Sequence, residues 1–246
     1  MIKFAAFTKT PLAHRGLHDV HLSENSLGAF KAAVDHGYGI EMDVHTLKDG
    51  GLVVVHDNNL KRVTGFDVNV EDLAEEDLKK YPLLIGGETI PTFKQLLEVV
   101  AGKVPLLVEL KVTGDFNPEL PKRVLKALEG YPNPENIALE SFQPYCMKWL
   151  RENTVKYPLG QLASSKLDGQ TKMVQWLFRT LLVCRISKPD FVAYDILYMP
   201  SRFVKRARRH GHPIVAWTVD TMEKYELARK FADNVIFEHI RPANKY

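Results

Sequence analysis

Short apolar runs alternate with helix-forming stretches along the whole of this chain, and few architectures accept that pattern. Runs containing Leu12, Ile40, Leu107, Ala138, Leu159, Val192, Val215 and Val235 are each followed, except the last, by a helical segment. Helices are predicted over Leu27 to Val34, Thr92 to Val100, Glu119 to Leu128, Pro144 to Arg151, within 166–186, and over Ser201 to His210 and Met222 to Phe231. Strands joined through helices run parallel, and eight such units in 246 residues predict an α/β fold of the TIM (β/α)8 type, for which about 250 residues is usual. One domain is expected over 1–246, with a small helical insertion at about 58–90 after the second strand unit, forming a lid or rim over one mouth.

The second strand carries an unusual load. In Gly39-Ile-Glu-Met-Asp-Val44, side-chain alternation sends Ile40, Met42 and Val44 to one face and Glu41 and Asp43 to the other. Asp49-Gly50-Gly51 then turns the chain back through Leu52 to Val55, which brings His56 towards the end of the same strand pair. Leu106 to Lys111 repeats the device, with Glu109 and Lys111 on one face, and the first run ends in His14-Arg15. Buried acids neutralise or find positive charge, supplied here by a metal ion or by Arg15 and Lys111 themselves.

Active sites of such barrels lie at the C-terminal strand ends. His14, Arg15, Glu41, Asp43, Glu109, Lys111, Ser141, Asp195 and Trp217 all fall there. Three carboxylates without a cysteine suit Mg²⁺ or Ca²⁺ rather than structural zinc. His14 and His56 suit a general base and acid, or are satisfied structural histidines; Arg15 and Lys111 suit a phosphate, or only pair the acids. Trp217 either lines the substrate pocket or fills the barrel. His45 reads as an extra rim contact or a solvated side chain.

Composition narrows the field further. A hydrophobic share of 45% with 26% charged residues excludes disordered, collagen-like and coiled-coil chains. Net charge +3 and pI near 8.7 favour an anionic substrate slightly, and no base-reading motif points to nucleic acid. Cys146 and Cys184 have neither metal nor disulfide spacing, the N-terminus before Pro11 is too short in apolar length for a signal peptide, and no run of roughly 20 apolar residues exists. A cytoplasmic protein is expected, with peripheral membrane attachment open to it.

Taken in order, His14-Arg15-Gly16, Glu24-Asn25-Ser26, Glu41-Met-Asp43-Val44, Val55-His-Asp-Asn-Asn-Leu-Lys-Arg-Val-Thr-Gly65, Ile90-Pro-Thr92, Glu109-Leu-Lys111, Ser141-Phe142 and Trp217-Thr-Val219 resemble the glycerophosphodiester phosphodiesterase family over about nine-tenths of the chain. The resemblance implies a barrel, a divalent metal at Glu41, Asp43 and Glu109, His14 and His56 as the acid–base pair, and hydrolysis of a glycerophosphodiester to glycerol 3-phosphate and an alcohol. Alternatives keeping the same machinery are a lysophospholipase D and a lipid-linked glycerophosphate hydrolase; an alternative of another class is a barrel that binds phosphorylated ligands without turnover.

One departure lies at the close, where Asp233-Asn-Val-Ile-Phe-Glu238 stands in place of Asp-Gly-Ile-Ile-Thr-Asp, predicting a bulkier eighth strand end. The other is Met173 to Cys184, more apolar than an outer barrel helix needs, with a narrow polar stripe of Lys172, Gln175 and Arg179. It is buried by its own barrel, or docks on lipid or on a second subunit, and in the lysophospholipase reading grips the acyl chain.

Overall fold

A computed structural model describes residues 7–243; most of the segment behind the signal-peptide expectation lies outside them. In chain order the elements are β1 (Leu12–His14), α1 (Leu27–Asp35), β2 (Gly39–Thr46), β3 (Leu52–Val54), α2 (Lys61–Thr64), α3 (Phe93–Val100), β4 (Leu106–Leu110), α4 (Glu119–Ala127), β5 (Ile137–Ser141), α5 (Pro144–Asn153), β6 (Leu159–Ala163), α6 (Lys172–Arg179), α7 (Cys184–Ser187), β7 (Phe191–Asp195), α8 (Arg202–Arg209), β8 (Ile214–Val219), α9 (Met222–Phe231) and β9 (Asn234–Phe237). Neighbouring strands pair in parallel from β2 through β4 to β9, and β1 pairs with both β9 and β2. Eight parallel strands therefore close into a TIM barrel, with β3 hung antiparallel on β2.

Strand alternation sorts the core into two layers. Leu12, Leu107, Ala138, Leu162, Phe191, Ala193, Val215 and Ile236 fill the barrel interior, while Ile40, Met42, Val44, Leu106 and Val108 face the helices. Space inside is tight: a Cβ on Gly160 of β6 would lie 2.2 Å from the Phe191 ring, so the missing side chain is what admits that ring. Helix starts are capped where the sequence offers hydroxyls, Ser26 accepting from the Ala29 amide at 3.1 Å and Thr92 forming a capping box with Gln95.

Residues 166–186 contain the expected helix, α6, which stops at Arg179; Leu181 then turns through a left-handed φ of 59°, and α7 starts at Cys184. The helical insertion contains two short 3-10 helices, Val70–Asp72 and Glu75–Lys80. Within 58–90, Leu60, Val63, Val70, Leu73, Leu78, Leu83 and Ile90 build a separate small core against Leu47, Val53 and Val55 of the β2–β3 hairpin. Asn234, the bulky replacement in the closing motif, sits at the start of β9, and its amide donates to the carbonyls of Phe7 and, at 2.8 Å, Thr10. It ties the chain's first described residues to the barrel floor; at the other end of the closing sequence Phe237 packs against Tyr38 and Glu238 lines the mouth.

Gly160→Ala should destabilise the protein by about 1–3 kcal/mol in urea unfolding. That loss should shrink in a Phe191→Leu background; equal losses in both would show that the ring is not what the methyl meets.

Candidate active site

The mouth of the barrel gathers more buried acid than base. Glu41 and Asp43 on β2 and Glu109 on β4 are all buried, and each offers a carboxylate oxygen within 4.8 Å of the others. Lys111 places Nζ 3.0 Å from Glu109 and 3.1 Å from Asp43, because alternation along β4 sets it one step beyond Glu109 on the same face. Arg15 holds a left-handed φ of 55°, which directs its amide to Glu41 Oε2 at 3.2 Å and its guanidinium Nε to Asp43 at 3.5 Å. Asn25, also left-handed, donates to Asp43 Oδ2 at 2.9 Å.

These partners divide the acids unequally. Burial works against ionisation of Asp43, but Lys111 and Arg15 outweigh it and hold the carboxyl below its usual range. Glu41 goes the other way, raised by burial and by the charge of Asp43 and Glu109. Glu109 is raised too, chiefly by burial, with Lys111 opposing. Two buried carboxyls resisting ionisation beside a third that is charged leave hard oxygen donors in want of positive charge, and a divalent cation fits that donor set.

His14 and His56 flank the acids, and each is oriented by a carboxylate. His14 Nδ1 lies 2.7 Å from Glu238 Oε2, with Nε2 3.9 Å from Glu41; His56 Nδ1 lies 2.7 Å from Asp57 Oδ1. An unbroken line of ion pairs joins the two sides: Asp43 to Arg15, Arg15 to Glu24 at 2.8 Å, Glu24 to Arg62 at 2.7 Å, and Arg62 to Asp57 at 2.5 Å. Burial pushes both imidazoles below their ordinary value, so both favour the neutral form near pH 7.

Several participants escape a reading by motif. Glu238, part of the divergent closing sequence, reaches the His14 ring that a sequence two hundred residues away cannot announce. His45 is not solvated: it is buried, pushed down to about 4 chiefly by burial, and meets the rim with Nε2 3.1 Å from the His56 carbonyl oxygen. Glu140 pairs in register with Glu109, is buried inside the barrel, and has no hydrogen-bond partner on either oxygen among the described residues. Burial, then Glu109 and Asp43, raise it well above the usual carboxylate range. A lone Glu on an apolar strand gives no signal of its own; only its alignment with β4 does.

Ser141 donates to the Leu110 carbonyl at 2.7 Å and Asp195 accepts from Ser164 at 2.8 Å, so both are tied into the barrel top. Trp217 packs edge-on against Phe142, 5.6 Å between centroids, its indole nitrogen unpartnered among the described residues. Two cavities open beside the acids. One of about 1070 Å³ is lined by His14, Arg15, Arg62, Val20, Leu84 and Ile85; the other, about 380 Å³, by His56, Glu109, Lys111 and Phe142. Neither includes any of residues 173–184, which removes them as an acyl grip at the catalytic mouth.

The family described as glycerophosphoryl diester phosphodiesterase matches residues 14–241. A glycerophosphodiester phosphodiesterase of Caldanaerobacter subterraneus is 30% identical over 87% of this chain and 87% of its own. Lysophospholipase D GDPD1 of Mus musculus is 28% identical over 95% of this chain and 74% of its own. The crystal structure of a glycerophosphodiester phosphodiesterase from Thermotoga maritima superposes with a TM-score of 0.71 at 28% identity, covering 92% of each chain.

A carboxyl whose folded pKa lies above its unfolded value must keep its proton on folding, and stability falls as pH rises from about 4.3 towards the folded value. In EDTA, Glu140→Gln should therefore lose less stability than the wild type between about pH 5 and 8. Parallel urea-unfolding curves across that range would place Glu140 in a charged, compensated state.

Proposed function

The chain belongs to the glycerophosphoryl diester phosphodiesterase family, a phosphodiester hydrolase by that membership, and we propose that it splits a glycerophosphodiester into glycerol 3-phosphate and an alcohol, using two histidines over one divalent cation. Glu41, Asp43 and Glu109 would hold the cation, Mg²⁺ or Ca²⁺. Such an ion supplies Lewis-acid stabilisation of the charge that builds on phosphoryl oxygens. The observation that carries the reading is the pair of imidazoles on either side of the acids, each held at Nδ1 by its own carboxylate so that Nε2 is left for substrate.

In this mechanism Arg15 and Lys111, already fixed by Asp43, meet the phosphate as a rigid positive edge. The attacking oxygen, from water or from the substrate's own glycerol hydroxyl, gives its proton to one imidazole while the other protonates the leaving oxygen. Glu238 and Asp57 keep the two rings in one tautomer and stabilise whichever becomes charged. With Trp217 packed edge-on behind its ring, Phe142 would wall the narrower cavity against water. Its size suits glycerol, and the larger cavity beside His14 suits the variable alcohol.

A second reading, a lysophospholipid as the diester, is favoured by that larger cavity, whose wall includes the exposed side chains of Val20, Leu84 and Ile85. The mouse relative that carries the name lysophospholipase D is in keeping with it. In either reading the substrate is a small molecule, no nucleic acid takes part, and we place the enzyme in the cytoplasm. Residues 173–184 then serve as an outer contact, with a membrane or a second subunit.

Release of glycerol 3-phosphate from glycerophosphocholine should require Mg²⁺ or Ca²⁺ and stop in EDTA, and His14→Ala and His56→Ala should each lower turnover by about 10²–10⁴. Wild-type turnover in either variant, or full activity in EDTA, would refute the assignment. Release from lysophosphatidylcholine alone would select the second reading. Glu238→Gln removes an anion that raises the His14 pKa, so one limb of the pH–rate profile, the acid limb if His14 is the base and the alkaline limb if it is the acid, should move to lower pH while turnover drops; two unmoved limbs would take His14 out of the titrating pair.

A further inference from the structure

Positive charge is not spread evenly over this molecule. Residues 171–212 carry nine Lys and Arg against two Asp and Glu, while the other 204 residues carry 24 against 28. Both acids of the segment are committed: Asp190 to Arg151 at 2.6 Å and Asp195 to Ser164 and the Leu197 amide. Lys172, Arg185, Arg202, Lys205, Arg206 and Arg209 are exposed, and among the described residues only Arg208 of the α8 bases is tied to an acid, Asp233.

Among these bases lie exposed apolar side chains, Met173 at 70%, Trp176 at 53%, and Leu197 at 67% in the turn after β7. Trp176, Leu182, Phe203 and Ala207 border a groove of about 400 Å³ between α6–α7 and α8, with Arg185 and Arg206 on its walls. The broken helix explains the arrangement: the turn at Leu181 sends Phe178, Leu181 and Val183 into the core and leaves Met173 and Trp176 outside.

From this combination we infer that the α6–α8 face docks the enzyme on an anionic lipid bilayer, the bases of α8 meeting phosphate headgroups and Trp176 and Met173 entering the interface. Apolar side chains among Lys and Arg, in a described segment whose own two acids are both engaged, match a negatively charged surface that is apolar beneath. A second copy of this chain is disfavoured, because a two-fold contact would set the basic face against itself. The inference goes beyond the catalytic reading and stands apart from it, since none of these residues lines the cavities beside His14 and His56.

Co-sedimentation of the full chain with vesicles tests it. Binding to vesicles of about one-third phosphatidylglycerol in phosphatidylcholine should be at least about tenfold tighter than to pure phosphatidylcholine, and should fall sharply between about 0.1 and 0.5 M salt. Reversal of four charges (Arg202→Glu, Lys205→Glu, Arg206→Glu, Arg209→Glu) and, separately, Trp176→Glu should each abolish it, with turnover of soluble glycerophosphocholine unchanged. Should the fourfold variant fail to fold, the salt and lipid-composition series on the wild type decides. The proposal is overturned by equal binding to neutral and anionic vesicles, by no binding to either, by binding that survives both variants, by duplex DNA displacing the vesicles, or by a dimer in solution that Trp176→Glu dissociates. A wild-type chain that binds anionic vesicles as described yet turns over no glycerophosphodiester would strike the catalytic reading alone.

Discussion

The cost of holding carboxylates inside a closed barrel governs the rest of this molecule. Glu41, Asp43, Glu109 and Glu140 come from three adjacent strands, and the parallel register sets the last three side by side. Among the described residues, Arg15 and Lys111 are the two Arg or Lys side chains paired with them. Hydrogen bonds and cations favour the charged form of Asp43, whereas desolvation raises Glu41, Glu109 and Glu140. A structure selected for stability alone would put apolar residues there, as it does one layer lower with Leu107 and Ala138. Retaining four acids is an expense that makes sense for a site built to receive positive charge.

Backbone conformation does as much as side-chain identity to assemble the centre. Arg15 and Asn25 both adopt left-handed φ, and each turns a donor towards the acids that an ordinary conformation would direct elsewhere. The Arg62 guanidinium then clamps Glu24 and Asp57 together, which fixes the orientation of His56 from the small core of residues 58–90. That segment is thus a packed rim on the β2–β3 hairpin that braces the mouth. His45 adds a brace from below through the His56 carbonyl.

Catalytic and docking surfaces are separated by construction. Loops after β1 and β9 and the 58–90 rim surround the cavity at His14, while the basic and apolar features of α6 to α8 occupy the barrel's flank. An outer helix of a barrel needs only one apolar stripe, so its other side is free to acquire charge without cost to the core.

Much of this was legible from the chain alone, for local reasons. Alternation along Gly39 to Val44 and Leu106 to Lys111 put Glu41 with Asp43, and Glu109 with Lys111, on one face of each strand, and the count of strand–helix units specified the barrel, because hydrophobic period and length depend only on neighbours in sequence. Ser26 and Thr92, which look like parts of a functional motif, are helix caps. What needed tertiary structure were contacts across the ring: Glu238 on His14 across 224 residues, Glu140 beside Glu109, Asn234 bound to Phe7 and Thr10, and the break at Leu181 that divides one apolar segment between core and surface. A sequence determines which way each side chain faces from its own strand or helix, but barrel closure decides which strands become neighbours, and with them which charges must share a site.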